Sequence, residues 1–199
     1  MLFHYHFWTP HLEEMENFYK NCGFRISTRI GKYNGEFQQF DPPVTWDDFR
    51  DKQILFRIIE ARKGKINITF GYGKKVSFDH IGFLVSKEEC ETICKQAEKL
   101  HWKVDVGEKR TFILTPYGFR IELQTHLDVI DDSESIEELQ KIVMSTKQTG
   151  LEQDLSFLFQ KEIKSIETIR DNKTILKHVY LNSFYQRKQT DPNGVEIYA

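Results

Sequence analysis

One order of elements occurs twice within the first 126 residues, and it limits the fold more than any other feature of the chain. Residues 2 to 8 read as an aromatic-rich strand, and Thr9-Pro10 supply an N-cap and a first-turn proline for a helix from about His11 to Asn21. Leu12, Met15, Phe18 and Cys22 give that helix one apolar stripe, and Gly23 is placed to end it. Strands follow over Phe24 to Ile30, Ile54 to Ala61 and Lys65 to Phe70, with a long loop from Gly31 to Lys52 and a hairpin at Arg62-Lys63-Gly64. The order then restarts. Phe78 to Val85 is a strand, and Ser86-Lys87-Glu88-Glu89 is a capping box opening a helix with Cys90, Ile93, Ala97 and Leu100 on one face. Strands over Lys103 to Val106, Arg110 to Thr115 and Phe119 to Thr125 complete the second set, with a turn at Pro116-Tyr117-Gly118. A duplicated βαβββ unit of roughly 60 residues predicts an α+β fold in which two modules form one cupped, eight-stranded mixed sheet.

The predicted divisions are residues 1–74, 75–127 and 128–199. The last is an extension: an acidic linker over Asp128 to Glu134, then a mostly helical stretch to residue 170 with Leu151, Leu155, Leu158, Phe159, Ile163 and Ile166 as its apolar face. Strand character returns over Ile175 to Phe184 and, after Asp191-Pro192-Asn193-Gly194, over Val195 to Tyr198. Lys177-His178-Val179 repeats the pattern of Asp79-His80-Ile81, and residues 191–197 repeat that of 115–123. His80 and Glu122 stand 42 positions apart but His178 and Glu196 only 18, so a complete third unit does not fit. The expectation is a degenerate strand pair packed on the barrel or on a partner subunit.

Lys and Arg number 28 against 30 Asp and Glu, a net charge of −2, which argues against attraction to nucleic acid or to anionic lipid. Residues 161 to 188 hold seven Lys/Arg against three Asp/Glu, but these are scattered at helical spacing without a base-stacking motif and read as a solvated face. No apolar run approaches the roughly 18 residues of a membrane span, and the first residues lack the basic region of a signal peptide, so a cytoplasmic location is expected. Cys22, Cys90 and Cys94 have neither disulfide nor zinc spacing and read as packing residues.

Strand alternation gives a test of function. In the first strand His4, His6 and Trp8 share a face opposite Phe3, Tyr5 and Phe7; in the second unit His80 lies opposite Asp79, Ile81, Phe83 and Val85, and Arg120, Glu122 and Gln124 lie opposite Phe119, Ile121 and Leu123. Asn67 and Thr69 likewise oppose Ile66, Ile68 and Phe70. One face of each strand suits packing under a helix, while the other gathers histidines and a carboxylate whose burial is costly unless a metal satisfies them. Taken singly, each such histidine is more often an ordinary packed or surface residue; matched positions in a repeated unit favour a joint role. His6 is a candidate proton-transfer residue, and Trp8 and Trp46 are candidates for the cup walls.

The sequence resembles the vicinal oxygen chelate superfamily, which includes glyoxalase I, extradiol dioxygenases, fosfomycin resistance proteins and bleomycin-binding proteins. The resemblance rests on His4, Pro10, Leu12, Phe18-Tyr19 and Gly23-Phe24 in the first unit, and on Asp79-His80-Ile81-Gly82-Phe83 with residues 116–123 in the second. It implies His4, His80 and Glu122 as ligands of a divalent metal (Fe, Mn, Zn or Ni), with Asn67 at the fourth ligand position in place of the glutamate typical of glyoxalase I. An amide cannot shuttle a proton, so the set is more similar to that of the two-His, one-Glu members. Asn67, Arg120 and Tyr117 are the expected substrate-binding residues, Arg120 as a bidentate carboxylate partner or as a structural ion pair. The implied protein is a metal-dependent lyase or dioxygenase acting on a small molecule with vicinal oxygens, partnered by a second copy of itself. The rival is a non-catalytic sequestering protein with an apolar, aromatic-lined cup.

Overall fold

β1 (Leu2–Thr9) occupies the middle of a nine-stranded sheet. It pairs in parallel with β5 (Ile66–Tyr72) and antiparallel with β6 (Ser77–Leu84), so the two halves of the sheet meet along it. The first half continues through β4 (Leu55–Lys63), β2 (Arg25–Tyr33) and β3 (Glu36–Gln39), and the second through β9 (Arg120–Gln124), β8 (Arg110–Leu114) and β7 (Lys103–Val106). The sheet has one strand more than expected. β3 lies inside the stretch read as loop and pairs with β2 through Ile30, Gly31, Lys32 and Tyr33. This computed structural model describes residues 1–182 and 187–199.

α1 (Leu12–Asn21) buries Leu12, Met15 and Tyr19 against the first half, and α2 (Lys87–Lys99) buries Ile93 and Ala97. The capping box is present, with Glu89 N–H donating to Ser86 Oγ at 3.0 Å and Ser86 N–H to the Glu89 carboxylate at 2.9 Å. α1 also carries a buried acid. Glu16 accepts two hydrogen bonds of 2.7 Å from Arg29 of β2, whose remaining donors go to the Phe40 and Val44 carbonyls at 2.9 Å and so hold the segment after β3 against the sheet. All three cysteines are free and half-buried.

The extension departs from the helical reading. It contains β10 (Glu138–Thr146), α3 (Leu151–Phe159), β11 (Ile166–Arg170), β12 (Ile175–Asn182), β13 (Lys188–Thr190) and β14 (Glu196–Tyr198), with the strands in one five-stranded sheet. Only α3 of the predicted helix is helical. A bulge at Gln140 puts Leu139 and Ile142 of β10 on the same face three residues apart, so this strand lacks the strict alternation that marks one in a sequence. Phe184 and Ser183, the expected end of the next strand, lie outside the described residues.

The small sheet is a reduced copy of the large one. β10 pairs in parallel with β11 and antiparallel with β12, as β1 does with β5 and β6; β12 pairs in parallel with β14, as β6 does with β9. Even the irregularities correspond, with bulges at Phe3 and Asp79 in the large sheet and at Gln140 and Lys177 in the small one. His178 faces Glu196 as His80 faces Arg120, so the repeated motifs in the tail occupy equivalent strands. Among the described residues, β2 to β4, β7 and α2 have no counterparts. The two sheets share one apolar core, to which Ile142, Met144, Leu155, Leu158, Val179 and Ile197 contribute. Among the described residues, no helix is long and apolar enough to cross a membrane.

Candidate metal centre

The cup of the large sheet holds a cavity of about 600 Å³, of a size that suits a small organic ligand. His80 on β6 lines it, and His4 on β1 and Glu122 on β9 are buried beside His80, each of the three offering a ligand atom within 4.8 Å of the others. Register explains the convergence. His4 lies opposite Gly82, and Gly82 lies opposite Glu122, so the glycine between the two ligands leaves both side chains room. A Cβ there would come within 2.8 Å of His4 Cβ.

Hydrogen bonds fix which ring nitrogens are free. His4 Nδ1–H donates to the Asn67 carbonyl at 2.9 Å, and His80 Nδ1–H to the Asp79 carboxylate at 2.6 Å. In the neutral rings both Nε2 atoms therefore present lone pairs, and they face each other at 3.0 Å. Glu122 Oε2 lies 3.0 Å from His80 Nε2 and 4.0 Å from His4 Nε2, yet is buried without a well-formed hydrogen bond. Burial holds His4 down to about 4, partly offset by Glu122. Burial opposes ionisation of Glu122, but the close approach of His80 and His4 and the positive charge of Arg110 bring it down to about 2. Three acceptors converge with too few protons between them, and a divalent cation fits that donor set.

Asp79 is the part of this centre that alternation misassigns. It was placed on the core face, but the bulge turns it into the cup and leaves Phe78 to pack on Phe7 and Phe119. Arg120 pairs with Asp79 as well. Burial raises Asp79, yet the hydrogen bonds from His80 and Arg120 prevail and hold it well below the usual carboxylate range. Of the two readings of Arg120, the ion pair is the one observed. The bulge at Phe3 similarly turns that ring onto the ligand side, stacked on His4 at 5.4 Å.

His6 lies beside the triad, its ring parallel to that of His80 at 5.0 Å. Its Nδ1 is tied to Thr69 Oγ1 at 2.6 Å, and its Nε2 is buried with no partner. Burial and the nearby imidazoles push it well below the ordinary histidine value. Asn67 is adjacent to His4 in register, but its amide donates to Glu60 and to the Val129 carbonyl, both at 2.7 Å, so it holds the wall together.

Tyr117 is not in the cup. Its hydroxyl donates to Asp154 of α3 at 2.6 Å, and its ring packs edge-on to Trp102, because the turn that carries it faces the small sheet. The expected substrate-binding tyrosine is therefore not among the residues that line this cavity. Trp8 lines the cup, whereas Trp46 packs with Phe49 and Phe56 under the 40–54 segment. Arg57, Glu60, Arg62 and Arg110 also line the cavity and carried no sequence signal of their own.

No protein-family model and no curated protein matches the chain. Solved structures do. The 2,2',3-trihydroxybiphenyl 1,2-dioxygenase of Sphingomonas wittichii strain RW1 is 11% identical, with a TM-score of 0.68 over 99% of this chain and 88% of that one. The 2,3-dioxygenase LapB of Pseudomonas sp. KL28 is 12% identical, with a TM-score of 0.63 over 98% and 90%. Homoprotocatechuate 2,3-dioxygenase of Brevibacterium fuscum, solved with 3,4-dihydroxyphenylacetate, is 13% identical, with a TM-score of 0.60 over 100% and 79%. The fold is that of the extradiol dioxygenases, the vicinal oxygen chelate fold.

Proposed function

We propose that the chain is a metal-dependent oxygenase of the extradiol type, acting on a small molecule with two adjacent oxygens. The observation that carries this reading is the convergence of two imidazole lone pairs and a carboxylate in a buried cup. His4, His80 and Glu122 would hold the metal, and the likeness in fold to dioxygenases supports iron as its first candidate. Such a metal supplies Lewis acidity toward paired substrate oxygens and a route for activating dioxygen.

The chain's own groups do the rest. Asp79 keeps the proton of His80 on Nδ1 and so orients its ring, and the Asn67 carbonyl does the same for His4. Thr69 fixes His6 so that only Nε2 reaches the cup, where it can take a proton from a substrate hydroxyl and return it later. The lining supports an enzyme over a sequestering protein, since Arg57, Arg62, Arg110 and Arg120 replace the apolar walls such a binder needs. The test is elemental analysis of protein purified without a metal-affinity step, beside Glu122→Ala. Near one metal per chain, lost in the variant, is expected; absence of metal, with none bound on titration, would overturn the reading.

A further inference from the structure

The cup is more basic than the chain. Arg57, Arg62, Lys109, Arg110 and Arg120 line it, against Glu60, Asp79 and Asp128, in a protein whose net charge is −2. Several of these charges are already matched. Arg62 binds Glu60 and the Asp128 carbonyl, Arg120 binds Asp79, and Arg110 faces Glu122 Oε2 at 3.6 Å. Among the described residues no carboxylate pairs with Arg57.

Arg57, although exposed, rests on an aromatic ring. It is the extra residue of a bulge in β4, where Ile30 faces Ile58 but Gly31 faces Phe56; Phe56 and Ile59 go to the core and Arg57 to the cup. Its guanidinium lies 4.8 Å from the Trp8 ring centre, and Trp8 meets the His6 ring edge-on at 4.6 Å. Gly71 makes this platform possible, because a Cβ there would stand 2.6 Å from the Trp8 ring. An oriented, unmatched guanidinium thus stands two side-chain contacts outward from the residue proposed to move the proton.

We infer that the molecule taken up by this cup carries a carboxylate in addition to its paired oxygens, and that Arg57, on its Trp8 platform, receives it. This rests on the metal-chelate reading above. A guanidinium offers the fork that matches a carboxylate, and stacking on Trp8 leaves its edge free to donate.

The test is calorimetric titration of metal-loaded protein, without oxygen, with catechol and with three carboxylates of increasing reach: 3,4-dihydroxybenzoate, 3,4-dihydroxyphenylacetate and 3-(3,4-dihydroxyphenyl)propionate. In the wild type at least one carboxylate binds about tenfold or more tighter than catechol. Arg57→Gln brings that ratio within about twofold and leaves catechol unchanged, while Arg57→Lys restores part of it. If catechol binds and no carboxylate exceeds it, or if the preference survives Arg57→Gln, the inference falls and the metal-chelate reading stands. If metal binds but no diol does, that reading falls and takes this inference with it.

Discussion

Asp79 accepts a hydrogen bond from His80 Nδ1–H at 2.6 Å and is itself held by Arg120, so a bulged residue positions a candidate ligand on its own strand. Asp79→Asn keeps the shape but weakens the acceptor, and metal affinity should fall by about 10- to 100-fold with folding unchanged. Competition against a fluorescent chelator measures this; affinity within twofold of wild type would show that Asp79 does not orient His80.

Gly82→Ala should act on the same centre by crowding. Its Cβ would press on His4 at 2.8 Å and on the Phe3 ring stacked against it at 3.0 Å. Metal affinity should drop by about tenfold or more. An unaffected Gly82→Ala variant would mean that the ligand strand adjusts freely.

Arg29→Met removes the partner of a fully buried carboxylate. Lys20 still reaches Glu16 at 2.6 Å, so the loss should be about 3 kcal/mol, at the lower end for a broken buried pair. Urea unfolding reads it, and a loss below about 1 kcal/mol would show that Glu16 simply takes up a proton.

Asp191 gives the stability a pH dependence. It accepts the backbone N–H groups of Asn193 and Val195 at 2.9 and 2.8 Å, but burial prevails and raises it to about 6. A carboxyl raised in the folded state favours folding when protonated, so its contribution is complete below about 4 and is lost as pH rises through 6. Asp191→Asn should gain about 2 to 3 kcal/mol relative to wild type between pH 4 and 8. Parallel pH profiles of wild type and variant would disprove the assignment.

The faces of the sheet were legible because Tyr5, Ile68, Ile81, Ile121 and Leu123 alternate strictly with His4, His6, Asn67, Thr69, His80 and Glu122. The helices were legible through their apolar stripes and α2 also through its capping box, whereas α1 starts from His11 without a side-chain cap rather than from the expected Thr9-Pro10. What escaped lay at bulges: Phe3, Arg57, Asp79 and Gln140 sit where one strand gains a residue, and a shift of hydrogen-bond register leaves no mark on composition. Tyr117 was misplaced for another reason. It belongs to a turn beyond the end of the alternating strand, where parity gives no direction.

The small sheet amounts to a deletion experiment performed on the large one. By register, Lys141 stands at the position of His4, Val143 at that of His6, Tyr180 at that of Gly82 and Tyr198 at that of Glu122. Tyr180 and Tyr198 stack at 4.7 Å, so aromatic rings plug the space that a glycine keeps open in the other copy. Strand pairing and both bulges survive this exchange, which separates the scaffold from its chemistry. Residues at the cup floor can therefore be redesigned without respecifying the path of the backbone.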